Sequence, residues 1–516
     1  MRRSRKQTVV VDGETLSLEA VSRVALQGAT VEVSEAALQR VIACRQLVDD
    51  LVSAGEVVYG VTTGFGKFSD VRIPPEEAAQ LQVNLLRSHA CAVGEPLPVP
   101  EVRAVMLLRA NTLAKGRSGI HPETLQRLVA LLNLGIHPVV PQQGSLGASG
   151  DLAPLAHLAL ILIGEGEAWY RGRRMPADQA LARAGLAPLV LRAKEGLALI
   201  NGTQIMSAIG ALTLVKAKRL MKAADMIAAL SFQCLRGVTD AFADEVHAAR
   251  PFPEQVGVAA NLRRLVDGSR LTTRQGEMRV QDAYSLRCLP QVHGAARQVT
   301  GYAEEKLRIE MNAATDNPLL FVESGRVISG GNFHGQPLAF AMDFVKIALS
   351  ALASMSERRT ERLVNPALSG MPAFLSHRPG LGSGLMIPQY VAASLVSENK
   401  VLAHPSSVDS IPTSANQEDH VSMGTTAARH ALQVVENTAK VLAIELICAA
   451  EAVGFSVTGK EGLSPATRVL FEALRAQVPS VSEDRSLSRD ITETSDRLIG
   501  DDSWLEAVEQ VAGELF

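Results

Sequence analysis

The feature that most constrains this chain is a set of long stretches without proline, at residues 206–235, 340–364 and 421–453. In each, apolar residues recur at three- and four-residue spacing, which lines them along a helix. Each is longer than an ordinary globular helix, and several long helices rich in Ala and Leu imply a bundle in which each buries more than one face. The pattern predicts a mainly α fold built on a bundle of long helices. Composition agrees: 47% of the 516 residues are apolar but only 4% aromatic, so the core is made of Ala, Leu and Val rather than rings.

The residues before "INGTQ" are different. Short β-rich pieces ("TVVVDG", "EVVYGVTTGFG", "GIHPVVP") alternate with helical patterns such as "SEAALQRVIACRQLVDDLVSAG". This places a smaller mixed α/β part at 1–200, the central long-helix bundle at 201–458 and a C-terminal helical tail packed on the same body at 459–516. The tail is rich in Ser and Asp and reads as weakly structured. "ATDNPLL" and "SSVDSIPTSANQED" are polar connections with the Asn-Pro and Ser/Asp chemistry of turns and caps.

Several classes lose ground on these grounds. A formal net charge of -3 gives no reason to expect nucleic acid or an anionic membrane as partner. Arg2, Arg3, Arg5 and Lys6 are followed at once by polar residues, unlike a signal peptide, and no run reaches the ~18 apolar residues of a spanning helix. None of the eleven histidines stands within four residues of another, so helical metal-ligand spacing is absent and no metal is expected. Five scattered cysteines fit reduced thiols in a cytoplasmic protein. "GASGD" is not a nucleophile elbow, because Asp151 replaces the final glycine. "GLGSGL" lacks the last glycine of a dinucleotide fingerprint.

The segment "QQGSLGASGDLAPLAH", residues 142–157, carries the chemistry. Where a tight bend brings the Gly150 nitrogen onto the Ala148 carbonyl carbon, a five-membered ring can close, because glycine leaves that nitrogen unhindered. Loss of the Ser149 hydroxyl as water then leaves a methylidene group conjugated to the ring, a strong electrophile. The N–H groups opening the next helix would polarise the ring carbonyl. Taken alone, Ala148-Ser149-Gly150 reads as an ordinary glycine-rich helix entry, since turns of such residues are common.

The whole segment resembles the cofactor-forming signature of the aromatic amino acid ammonia-lyases. "YGVTTGFGKF", "NLLRSHACAVGEPL", "EGLALINGTQ", "VQDAYSLRCLPQVHG", "ATDNPL", "GGNFHGQP", "SENK" and "SVDSIPTSANQEDHVSMG" follow the same family's blocks in order, over about residues 55–430. The resemblance implies a fumarase/aspartase-like helical architecture and a homotetramer whose active sites are shared between subunits. It also implies a 4-methylidene-imidazol-5-one formed autocatalytically from Ala148-Ser149-Gly150, with no dissociable cofactor. Cys91-Ala92 and Ala283 depart from common family residues without removing a functional group.

Within that family, Ser88-His89 and Glu418 stand where the branch acting on histidine carries these types. His89 can hydrogen-bond an imidazole, and a carboxylate at Glu418 suits a ring with an N–H donor. The expected reaction is elimination of ammonia from L-histidine to give trans-urocanate, the first step of histidine degradation. The alternatives are a tyrosine or phenylalanine lyase, or a 2,3-aminomutase on the same electrophile. By resemblance Tyr59 is the base for the β-hydrogen, Arg287 the two-pronged carboxylate clamp and Tyr284 an aid to proton transfer. Gln281, Asn201 and Phe333 contribute to substrate binding, with Gln204 a further polar group near the substrate amine. Gln281, Tyr284 and Arg287 stand three residues apart, a spacing that shares a helix face.

Overall fold

The computed structural model describes residues 8–516 apart from Phe65 and Ser69. The basic cluster at the start of the chain lies outside the described residues. The fold is mainly α, and the long patterned stretches form the helices Gln204–Cys234, Gln336–Val364 and Gly424–Phe455. In the last of these Val441, Leu442, Ala443, Ile444, Leu446, Ile447 and Cys448 are all buried, so the helix is covered all round. Leu289–Glu310 is a fourth long helix.

The chain divides into two compact units. One ends its first stretch at Val215 and takes in Glu304–Asp343 and Pro405–Arg429; the other comprises Lys216–Ala303, Phe344–His404 and His430–Phe516. The division falls inside the four long helices.

The first unit carries the strands. Thr8–Val11 pairs in parallel with Thr30–Val33, and Val93–Pro96 runs antiparallel to Pro141–Gln143. Ile136–Pro138, Glu167–Tyr170 and Arg173–Pro176 make an antiparallel sheet, and Leu319–Phe321 pairs with Arg326–Ile328. The "TVVVDG" and "GIHPVVP" strands are therefore present. "EVVYGVTTGFG" instead forms turns, with a lone bridge between Thr63 and Arg72. Its threonines explain this. Thr62 Oγ1 accepts from Val58 N and donates to Glu56 O, and Thr63 Oγ1 accepts from Gly60 N, so local hydroxyl bonds replace a strand ladder.

The second unit corrects two further expectations. The tail is well ordered into the helices Pro465–Arg475, Ser488–Gly500 and Ser503–Ala512. Each buries a sparse stripe (Leu470 and Leu474; Leu498; Trp504 and Val508) that its polar composition hides. The helix Gln336–Val364, which begins in the first unit, holds an 18-residue window of mean hydropathy 1.6, so one stretch does reach membrane-spanning length and apolarity. Sixty-one per cent of that window is buried against protein, as in a core helix.

Candidate active site

The helix Leu152–Leu160 begins directly after Ala148-Ser149-Gly150, with Asp151 at its N-cap position. The preceding turn passes through Gly147 and Gly150, both in the left-handed region at φ 68° and 70°. Gly150 also faces backbone. An added Cβ would stand 2.2 Å from Gly202 O, and Asp151 N donates to that same oxygen at 2.7 Å. The approach is open to glycine alone. Asn201 Nδ2 donates to Ser149 O at 2.9 Å, while Asn201 Oδ1 is buried without a partner.

Asp151 fixes this strip to the rest of the unit. Its fully buried carboxylate accepts from Ile205 N and Met206 N at 2.9 and 3.0 Å, capping the helix Gln204–Cys234. Ser145 Oγ at 2.8 Å and the Thr425 hydroxyl bond its other oxygen. Burial pushes the Asp151 carboxyl above its ordinary value, and these hydrogen bonds pull it back. Ser422 Oγ donates to Gly147 O at 2.8 Å, closing the strip from the other side.

Arg109, on the helix Val99–Ala114, belongs to the same arrangement and has no signal in the sequence beyond being one of two arginines in a largely apolar helix. It is fully buried. Nη1 donates to Asn201 O at 2.9 Å and to Gln204 Oε1 at 2.5 Å, and Nη2 donates to Ala198 O. Burial lowers its pKa to about 10. Gln204 is consumed by this network, since its Nε2 donates to Thr112 Oγ1 and Thr315 Oγ1. It is therefore a scaffold amide rather than a group facing the substrate amine.

His89 ends the helix Ala78–His89, with Nδ1 3.0 Å from Ser88 Oγ. Burial holds its ring pKa below the ordinary value, opposed by a bond to the Leu85 carbonyl and by the negative charge of Glu418. His89 and Glu418 are thus in electrostatic reach of one another. Glu418 is half-buried and its Oε2 accepts from Thr413 Oγ1 at 3.0 Å. Thr413 and Glu418 also exchange both backbone hydrogen bonds, at 3.0 and 3.3 Å. The loop they close carries Ser414, Ala415 and Asn416 in succession at φ 52°, 53° and 65°. Each such non-glycine residue costs on the order of 1 kcal/mol, a cost set against the Thr413–Glu418 bonds that close the loop.

Tyr59 is half-buried and its hydroxyl accepts from Gly66 N at 3.2 Å, within its own loop. A side chain on Gly66 would stand 3.6 Å from Ser414 Oγ, which brings the Tyr59 loop up to the Glu418 loop. Phe333 is half-buried beside His334, whose ring stacks on His420 at 5.8 Å between centroids. Ser149, Asn201, His89, Glu418, Tyr59 and Phe333 all belong to the first unit.

Gln281, Tyr284 and Arg287 belong to the second. The helix there is only Tyr284–Arg287, so Gln281 does not share its face. The reason is Asp282, whose buried carboxylate accepts from Val238 N at 2.6 Å and Arg279 Nε at 2.5 Å and holds the preceding backbone out of the helix. Tyr284 is 69% exposed, and the Arg287 guanidinium lies over its ring at 4.7 Å. Arg287 Nε is buried without a partner. A cavity of about 480 Å³ among Ile387, Val391, Lys440 and Asp484 shares no residue with either group.

The expected helix N–H polarisation of the ring carbonyl takes another form: the donor on Ser149 O is the Asn201 side chain. The strip nonetheless fits ring closure. Its glycines permit the bend, its Ala148 is buried and its carbonyl has a donor in place. Among the described residues no cluster of His, Cys, Asp and Glu is arranged to hold a metal.

A family model described as aromatic amino acid lyase matches residues 16–476. The chain is 59% identical over 501 residues to a histidine ammonia-lyase of Geobacillus sp. (strain WCH70), covering 97% of each. It is similar to the solved tyrosine aminomutase of Streptomyces globisporus, with a TM-score of 0.94 at 42% identity over 99% of this chain and 100% of that one. It is also similar to the solved histidine ammonia-lyase of Trypanosoma cruzi, with a TM-score of 0.91 at 41% identity over 98% of this chain and 96% of that one. The fold is the fumarase/aspartase-like one.

Proposed function

The chain belongs to the aromatic amino acid lyase family, and from that premise we propose that it is a carbon–nitrogen lyase that eliminates ammonia from L-histidine and releases trans-urocanate. The observation that carries the choice of substrate is the full-length likeness to histidine ammonia-lyases, and the placement of His89 within electrostatic reach of Glu418 agrees with it. An imidazole substrate offers one N–H and one lone pair, and a neutral histidine beside a carboxylate can answer both.

The methylidene-imidazolone built from Ala148-Ser149-Gly150 supplies the electrophile that makes the amine a leaving group. The remaining work falls to side chains. Asn201 Nδ2 stabilises charge on the Ser149 carbonyl oxygen, and its unpartnered Oδ1 accepts a hydrogen bond from the substrate amine. Tyr59 takes the β-proton, and Phe333 packs on the ring. Arg287 clamps the carboxylate in two-pronged fashion, Tyr284 assists proton transfer and Gln281 adds a polar contact. The exposure of Tyr284 supports a homotetramer in which subunits complete each other's sites. All five cysteines are free, in keeping with a cytoplasmic location.

The likeness to an aminomutase favours one second reading, in which ammonia adds back to the β-carbon. Offering the purified protein L-histidine, L-tyrosine and L-phenylalanine separately, with ammonia and conjugated acid both measured, separates the readings. Urocanate and ammonia from histidine alone are expected. A β-amino acid without ammonia release establishes the mutase, and cinnamate or coumarate overturns the substrate assignment.

A further inference from the structure

We propose that Arg109 is a positioning residue for the electrophile: its guanidinium presses the Asn201-Gly202 segment onto Ser149-Gly150 and so sets the geometry in which the ring closes and works. The proposal rests on the reading of Ala148-Ser149-Gly150 given above.

Three layers of backbone and side chain carry it. At the bottom, Arg109 donates to Ala198 O, Asn201 O and Gln204 Oε1, all within the seven residues that contain Asn201. In the middle, Gly202 has room for no side chain, since an added Cβ would stand 2.5 Å from Arg109 Nη1 and 2.5 Å from Gln204 Oε1. At the top, Asn201 Nδ2 reaches Ser149 O at 2.9 Å, and Gly202 O receives Asp151 N at 2.7 Å. The Gly202 carbonyl is also the group that forbids a Cβ on Gly150. Gly202 therefore has the guanidinium on one side and Gly150 on the other.

The charge itself supports a role beyond packing. Burying a guanidinium without an ion-pair partner is costly, and an apolar side chain of similar volume packs a core more cheaply. Among the described residues no carboxylate forms an ion pair with Arg109; Asp316, whose charge acts on it, is paired with Lys194. Two of its three acceptors, Ala198 O and Asn201 O, lie at the end of the helix Glu195–Ile200, where the macrodipole places negative charge, and the third is Gln204 Oε1. The cation thereby fixes the helix end from which Asn201 projects.

Ring closure needs this fixation. The Gly150 nitrogen bonds to the Ala148 carbonyl carbon, whose oxygen leaves as water with the amide protons of Ser149 and Gly150. A second water takes the Ser149 hydroxyl and its α-hydrogen, so two waters are lost and no oxidant is required. The bend that brings the nitrogen to the carbon is the one Gly202 confines from below.

Arg109→Lys keeps the charge and loses the fork. The expected result is a folded protein in which a smaller fraction of chains is lighter by two waters by intact mass. The absorption of the ring falls in proportion. On chains that have matured, kcat for histidine falls about tenfold with KM changed less than about twofold, because Arg109 touches no substrate. Combined with Asn201→Ala, the kcat loss is less than the product of the single losses. If Arg109→Lys does not fold, the same readouts are taken on Gln204→Glu, whose carboxylate draws Nη1 away from Asn201 O. Complete two-water loss with unchanged kcat overturns the proposal, as does strict additivity with Asn201→Ala. A wild-type chain of full, undehydrated mass overturns the electrophile reading itself, and the role of Arg109 with it.

Discussion

The Asn201 side-chain nitrogen donates to the Ser149 carbonyl oxygen at 2.9 Å while the other end of the same amide is buried with no partner. One half of the group is committed to the electrophile strip and the other is held ready. Removing the amide by Asn201→Ala therefore takes away both a charge-stabilising donor and an acceptor. Loss of a comparable preorganised donor costs about a hundredfold or more in kcat. Steady-state urocanate formation checks this, and a loss under threefold shows that the donor has no catalytic part.

Gly150→Ala meets two obstacles at once, a φ of 70° and the Gly202 oxygen 2.2 Å from the new Cβ. The left-handed conformation alone costs about 1–2 kcal/mol for a residue with a side chain. The expected outcome is a lowered Tm and no loss of two waters by mass. A variant that matures normally means that the strip has more freedom than the close approach implies.

Arg287→Lys tests the clamp. The guanidinium is planar, stacked on Tyr284, and carries a buried Nε with no protein partner. A lysine cannot reproduce the two-pronged contact, so KM for histidine rises about tenfold or more while kcat changes less. A fall in kcat at constant KM moves Arg287 from binding to chemistry.

The pH behaviour of His89 follows from its surroundings. Burial lowers its pKa, so the ring is neutral at neutral pH, and the Glu418 charge opposes that shift. The sign for stability is that of a depressed group. The contribution is fully present above the unfolded value near ~6.5 and is lost as pH falls through the folded one. Glu418→Gln removes a raising influence, so the His89 pKa falls further and the acid limb moves to lower pH. Titration of the ring proton by NMR reads this directly, and an upward shift contradicts the pairing.

Much of the site was legible because its chemistry is local. Ala148-Ser149-Gly150, the helix after it and the long helix following "INGTQ" all depend on neighbours within a few residues. What the sequence concealed depends on contacts across the chain. Spacing suggested one helix face for Gln281, Tyr284 and Arg287, but Asp282 prefers the Val238 N–H, which no periodicity announces. Nothing in the sequence separates Arg109 from Arg103 on the same helix, and only the arrival of Ala198, Asn201 and Gln204 makes it legible. The tail misled by composition: in Ser488–Gly500 two serines and two aspartates surround the single leucine, Leu498, that the helix buries.

The strip around Ser149 draws its contacts from far along the polypeptide. Gly202 and Asn201 lie some fifty positions downstream, and Ser422 and Thr425 more than two hundred and seventy. A nascent chain emerging from the ribosome thus displays its three reactive residues long before the groups that confine them have been made. On the proposed reading, ring closure would then be the last event of biosynthesis, a record that synthesis and folding have both been completed.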